Sequence, residues 1–217
     1  MIFSLRRIFT ALFSLMLIHP FINAQTRFNF FAGPQVTTVS YVIKGEPQNA
    51  SFKPGFVLGA GAKIEFENRL FFSPSVYYSL KGYKVEFNQS SALPDPSALN
   101  NNVTAHTLET AFLLQYDFNS KPSHFFITLG PSIDFQLYGK EKFDRANEIQ
   151  VSRTMRYDFA NYGRFAAAGV IHFGYETRKS IFFYGFYEHG LTNLDNGDTG
   201  PTIQYRVAGI TVGKFIK

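Results

Sequence analysis

The 217-residue chain predicts an all-β fold: a closed, antiparallel, up-and-down barrel of eight strands that crosses a membrane. Three observations predict it. Apolar and polar residues alternate with period 2 almost throughout, as they do in strands with two unlike faces. Aromatic residues make up 18% of the chain, with 26 Phe, 12 Tyr and no Trp, yet mean hydropathy is only −0.08. Finally, the polar connections between strands alternate strictly between long and short.

The first residues stand apart from this pattern. Arg6 and Arg7 lie close to the amino terminus, and Ile8 to Ile18 follow without a charge. Then come His19-Pro-Phe-Ile-Asn-Ala24, and the composition changes at Gln25. Positive charge, a short apolar run, a helix breaker and a small residue form the pattern of a secretory signal, which we expect to be cleaved after Ala24. The apolar run is shorter than the ~20 residues a spanning helix needs. Residues 1–24 are thus read as a signal helix and 25–217 as one barrel domain. No cysteine follows the cut, so neither a lipid anchor on an N-terminal Cys nor a disulfide is expected.

Arg27 to about Val42 reads as the first strand. From Pro54 to Glu67, Phe56, Leu58, Ala60, Ala62, Ile64 and Phe66 share one face, opposite Gly55, Gly59, Gly61, Lys63, Glu65 and Glu67; Val57 breaks the pattern. Next, Leu70, Phe72, Pro74, Val76, Tyr78 and Leu80 alternate with Arg69, Ser73, Ser75, Ser79 and Lys81. Thr104–Phe118 sets Leu108, Phe112, Leu114 and Tyr116 against Glu109, Gln115 and Asp117. His124–Tyr138 sets Phe125, Ile127, Leu129 and Ile133 against Thr128, Ser132, Asp134 and Gln136. Tyr157–Tyr175, Ser180–Leu191 and Ile203–Phe215 complete the eight. Pro74 and Pro131 each remove a ladder donor; both fall on the expected outward face, where a bulge could absorb them.

Short connections lie around Asn68, at Asn119–Ser123 and at Thr177–Ser180. Long polar ones span roughly Lys44–Lys53, Asn88–Val103, Lys140–Arg156 and Thr192–Thr202. Bacterial outer-membrane barrels have short periplasmic turns and long external loops. Alternation therefore places both termini in the periplasm and the long loops outside. In hydrocarbon every backbone polar group must be paired, which requires the sheet to close. The loop Ser90–Asn102, rich in Ser, Pro and Asn, is expected to be mobile.

Lys and Arg total 21 against 16 Asp and Glu. Without Arg6 and Arg7 the balance is 19 to 16, scattered, with no basic stripe of the kind nucleic acid requires. The expected partner is outer-membrane lipid around a monomeric barrel, with no nucleic acid. Eight strands enclose a lumen just wide enough for side chains to fill. The polar face carries Lys63, Glu65, Glu67, Arg69, Lys81, Glu109, Asp117, Asp134, Arg164, His172, Glu176 and Glu188. Ion pairs filling that lumen are expected, rather than a conduction path.

Five segments carry a family resemblance. They are Gly33-Pro-Gln, Gly55-Phe-Val-Leu-Gly-Ala-Gly61, Leu108-Glu-Thr-Ala-Phe-Leu-Leu-Gln-Tyr116, Gly130-Pro131 and Tyr187-Glu-His-Gly-Leu-Thr-Asn193. The chain resembles the outer-membrane β-barrel domains that include PorT-type proteins of the type IX secretion apparatus. The resemblance implies fold and location, and other envelope or secretion-system proteins as partners. Phe186 stands where that family often carries an inward arginine.

No catalytic, cofactor or metal residues are assigned. The histidines after Ala24 are His106, His124, His172 and His189, and none pairs by sequence with a nucleophile. Asp195-Asn-Gly-Asp198 could offer oxygen ligands to calcium, but an Asn-Gly turn explains it more simply. Gly59–Lys63 lacks the spacing of a phosphate loop. Two other classes compete with a structural barrel: a lipid-modifying or proteolytic barrel enzyme, and a soluble lipocalin-like binder. The latter needs an apolar interior, opposite to the face on which the charges converge.

Overall fold

The computed structural model describes residues 26–145, 150–198 and 200–216; the expected signal segment lies outside them. The strands are β1 (Arg27–Ile43), β2 (Glu46–Pro47), β3 (Asn49–Glu67), β4 (Leu70–Glu86), β5 (Asn100–Asp117), β6 (His124–Asp144), β7 (Gln150–Thr154), β8 (Phe165–Glu176), β9 (Ile181–Gly190) and β10 (Thr202–Ile216). Eight of them form a ring, β1–β3–β4–β5–β6–β8–β9–β10, closed by β10 on β1. Every pairing in the ring is antiparallel, and the seam runs from Phe28↔Ile216 to Val42↔Thr202. β2 and β7 are short additions to β1 and β6 at the loop end. Closure leaves no backbone edge within the wall, the condition for a sheet to sit in lipid.

The alternation decides which side faces out. Phe28, Phe30, Phe56, Leu58, Phe112, Leu114, Leu129 and Ile210 are exposed on the outer wall, whereas Lys63, Lys81, Glu109, Asp134 and Glu188 are buried inside. An apolar exterior around a charged interior is the reverse of a soluble barrel and rules out the lipocalin-like alternative.

Pro34, Pro74 and Pro131 face outward, and none of these three needs a bulge. At Pro34 the β1–β10 ladder skips from Ala32↔Val212 to Gln35↔Gly209 without changing register. At Pro74 and Pro131 the ladders β3–β4 and β5–β6 skip in the same way. The expected bulge is therefore corrected: each proline omits its bonds to one neighbour and stays in register with the other. Gly33 and Gly130 precede two of these prolines. A Cβ at either would run into the facing backbone at Ile210 or Phe112, so the strands approach there as only glycine permits. The register shifts lie between Phe52 and Val57, where a fourth outward proline, Pro54, sits, between Glu65 and Glu67, and between His106 and Thr107.

Several strand ends differ from expectation. β3 starts earlier, β4 and β6 run on to Glu86 and Asp144, and β5 begins at Asn100. There the outer face turns polar above the apolar belt while the inner face turns apolar, with Tyr83, Val85, Val103 and Phe143 buried, so the polar-in, apolar-out alternation inverts while hairpin pairing continues. β8 begins at Phe165, not Tyr157. Tyr157–Arg164 instead folds over the mouth, with Tyr162 buried. The loop expected to be mobile is also packed: Ser91 and Leu93 are buried, and the Tyr41 hydroxyl donates to the Leu93 carbonyl at 2.5 Å.

Candidate functional site

The lumen is a stack of layers, read here from the short-turn end. First comes an ionic cluster from β1, β3, β5, β6 and β8. Lys63 Nζ lies 2.6 Å from Asp117 Oδ2 and 3.3 Å from Glu176 Oε2, and Arg27 meets Glu176 at 2.6 Å. His124 Nε2 is 2.9 Å from Asp117, and its Nδ1 is 2.8 Å from the Lys121 carbonyl. Gln115 donates to the other Asp117 oxygen at 2.7 Å. Arg27 also stacks on Phe215 at 4.0 Å, and Lys63 on Phe71 at 4.3 Å. A vestibule of about 350 Å³ connects this cluster to the turn end.

Above it sits an aromatic layer. Phe31, Phe126, Phe182 and Phe215 pack with Tyr77, Tyr184 and Phe186. His172 stacks on Tyr184 with centroids 4.3 Å apart. Gly59 makes room for the layer: a Cβ there would sit 2.8 Å from the Phe31 ring. The void beneath, lined by Asn29, Gln115, Thr128 and His172 among others, is about 40 Å³, room for a few waters and no conduction path.

The next layer is the second ionic cluster. Lys81 on β4 reaches Glu109 on β5 at 3.0 Å, Asp134 on β6 at 2.7 Å and Glu188 on β9 at 2.5 Å. Thr107 donates to Glu109 at 2.9 Å. One carboxyl oxygen from each acid lies within 4.8 Å of the others, a spacing that could hold a metal ion, but the Lys81 ammonium fills the centre. Charges this deep persist only when paired.

The loop end is sealed by an apolar plug. Tyr41, Tyr83, Val103, Ile203 and Tyr205 from the wall meet Leu93, Met155, Tyr162 and Leu194 from the loops. A polar set ties the plug down. Tyr162 donates to Glu141 at 2.9 Å, Arg153 pairs with Glu141 at 2.6 Å, and Arg153 reaches the Pro94 carbonyl at 2.6 Å. Gly163 N donates to the Leu194 carbonyl at 2.7 Å, joining two loops. In the Tyr187–Asn193 segment, Glu188 enters the ionic cluster. Asn193 Oδ1 accepts from the backbone of Asp195 and Ile203, and its amide donates to Pro201.

Of the residues assigned to the polar face, Lys63, Lys81, Glu109, Asp117, Asp134, His172, Glu176 and Glu188 point into the lumen. Glu65, Glu67 and Arg164 are exposed and Arg69 half-exposed; they lie at the rims, beyond the closed part of the wall. Glu141, Arg153 and Tyr162 were missed. A period-2 reading could have reached Glu141 only by allowing for the bulge at His106/Thr107, which shifts the inward set of β6 by one residue.

The remaining motifs find structural uses. Asp195 Oδ1 accepts from Gly197 N at 2.8 Å, an Asx turn, and burial holds the Asp195 carboxyl above its usual range. Gly59–Lys63 lies within β3. The ring nitrogens of His106 and His189 meet Tyr78 and Tyr187, and those of His124 meet Asp117, Glu176 and the Lys121 carbonyl. No serine or threonine hydroxyl pairs with them among the described residues.

A closed, apolar-walled ring with a charged, filled lumen defines an integral membrane β-barrel, and one of outer-membrane type. The family model described as "Outer membrane protein beta-barrel domain" matches residues 22–196, and the chain belongs to that family. No curated protein matches it in sequence. Among solved structures it is similar to Ail, the attachment invasion locus protein of Yersinia pestis, at 14% identity and TM-score 0.47, covering 88% of this chain and 98% of that one. It is also similar to OprG of Pseudomonas aeruginosa, at 14% identity and TM-score 0.41, covering 88% and 96%. Neisserial surface protein A is a third, at 11% identity and TM-score 0.38, covering 87% and 96%.

Proposed function

We propose that the protein is a non-enzymatic outer-membrane barrel whose lumen is filled, and whose loop end serves as a structural and interaction surface. The filled lumen carries this reading. An apolar plug, a fully buried ionic cluster and an aromatic layer lie in series, leaving no continuous water path among the described residues. Residues 1–24 then act as the export signal, both termini lie in the periplasm, and the long loops face outward as the barrel stands, monomeric, in outer-membrane lipid. The resemblance to PorT-type domains adds a role beside other envelope proteins in type IX secretion.

Planar-bilayer recording tests the central claim: the reconstituted protein should show no stable conductance of porin size, and a large persistent one would overturn it. Topology is tested separately. The chain has no cysteine, and Phe159 at the loop end is 96% exposed. In intact cells an impermeant maleimide should label Phe159→Cys but not Lys121→Cys, at the opposite end; the reverse result would refute the orientation.

A further inference from the structure

The outer wall changes character in register across β3–β6. Phe56, Leu80, His106 and Tyr138 lie on one cross-strand row, fixed by Leu80↔His106↔Tyr138. Rings run along it: Phe56–Tyr78, Tyr78–His106 and His106–Tyr138 have centroids 5.6, 6.0 and 5.7 Å apart. The Tyr78 hydroxyl and His106 Nδ1 are 2.5 Å apart. Aromatic rows of this kind mark the edge of the hydrocarbon.

Two residues further up each strand, roughly 7 Å at strand rise, comes Gly82↔Thr104↔Lys140, with Lys53 lying across it. The next row is Lys84↔Asn102↔Lys142. Lys53 is fixed rather than free: its ammonium donates to Asn102 Oδ1 at 2.8 Å, the Val103 carbonyl at 2.7 Å and Thr104 Oγ1 at 2.7 Å. Its stem crosses Gly82, where a Cβ would come within 3.2 Å of it. All three acceptors are neutral, and Lys84 and Lys142 stand near enough to repel its charge. Among the described residues, no carboxylate pairs with Lys53, Lys84, Lys140 or Lys142. The acids begin one row higher, with Glu86↔Asn100 and Asp144; Asp144 accepts from Asn100 and Gln150.

We infer that this face of β3–β6 binds the phosphate-bearing headgroup of lipids in the leaflet on the long-loop side. Four lysines without a carboxylate partner, gathered by the register onto two neighbouring rows directly above a hydrocarbon-edge aromatic row, match an anion whose acyl chains lie against Phe56, Leu108 and Phe112 below. A free phosphate would satisfy the lysines but leave the aromatic row unused. The site rests on the outward orientation of the loop end only for which leaflet supplies the lipid.

The test uses the refolded full chain in nonionic maltoside micelles, titrated with short-chain phosphatidic acid and followed by amide shifts of Asn102–His106. Saturable binding is expected. It should weaken about fivefold per lysine removed, on the order of a hundredfold in Lys84→Gln/Lys140→Gln/Lys142→Gln, and stay unchanged in Lys179→Gln at the far end. The exposed single variant Lys142→Gln carries the test if the triple variant fails to regain heat-modifiable gel mobility. Unchanged affinity in the folded variants would overturn the site. Inorganic phosphate binding as tightly as the lipid would overturn the lipid as ligand. Phosphatidylcholine binding equally well would overturn the phosphate recognition. Micelles have no sidedness, so a failed orientation would appear only in the maleimide labelling.

Discussion

The two ionic clusters of the lumen use the same residue types in opposite ways. At the turn end, Lys63 and Arg27 face Asp117 and Glu176, so charge is nearly balanced and a vestibule admits water. In the middle, Lys81 alone faces three carboxylates, and its side chain is 0% exposed. The first cluster can lose a partner and let solvent or a second cation compensate. The second has neither, and layers of aromatic and apolar side chains close it off on both sides. Position along the barrel, more than chemistry, sets what each pair is worth.

Removing each lysine should break the comparison most sharply. Lys81→Met leaves three carboxylates in the sealed layer and should cost about 3–5 kcal/mol in urea unfolding of the refolded barrel. Lys63→Met should cost less, on the order of 1–2 kcal/mol, because Arg27 keeps Glu176 paired. Equal costs would show that the vestibule gives no relief. Neutralising an acid should invert the order. Glu188→Gln reduces the surplus charge around Lys81 and should stay within about 1 kcal/mol of wild type, whereas Asp117→Asn, which disrupts bonds to Lys63, His124 and Gln115, should cost about 2 kcal/mol.

A smaller effect is expected where the loop plug meets the wall. Tyr41→Phe removes the donor to the Leu93 carbonyl and should cost about 1 kcal/mol, with faster proteolysis of the β4–β5 loop. The smallest concerns pH. Ser97, through its hydroxyl and its backbone N–H, holds the Asp95 carboxyl below its usual range, with Arg145 adding to the effect. That contribution is present above the ordinary aspartate pKa and is lost as pH falls through the lowered value. Asp195 is shifted the other way by burial, so its contribution is greatest in acid and fades as pH rises through the raised value. Acidification from pH 6 to 3 should therefore speed hydrogen exchange in the β4–β5 loop, but not in the β9–β10 loop, after correction for intrinsic rates.

Much of the wall was legible because lipid outside and charge inside give each strand two unlike faces. Leu108, Phe112 and Leu114 against Glu109 and Gln115 could be read in no other register. The signal failed above the apolar belt, where the outer face is polar and the inner face is the buried apolar plug, so the alternation inverts. Lys84, Asn102 and Lys142 look like loop residues until their pairing is seen. It failed again at Tyr162 and Leu93, whose burial depends on loops from three separate hairpins meeting over the mouth. The lysine face was hidden for a related reason: Lys53, Lys84, Lys140 and Lys142 come from three strands up to 89 positions apart in the chain, and only the register gathers them.

The β1–β10 seam has a consequence for how the chain could be rewired. Phe28 pairs with Ile216, so the start of β1 and the end of β10 lie side by side at the turn end. A few residues joining them would make one more hairpin of the kind already present at Thr177–Ser180. The wall then has no privileged first strand, and a circular permutant opened within the β9–β10 loop should reach the same ring.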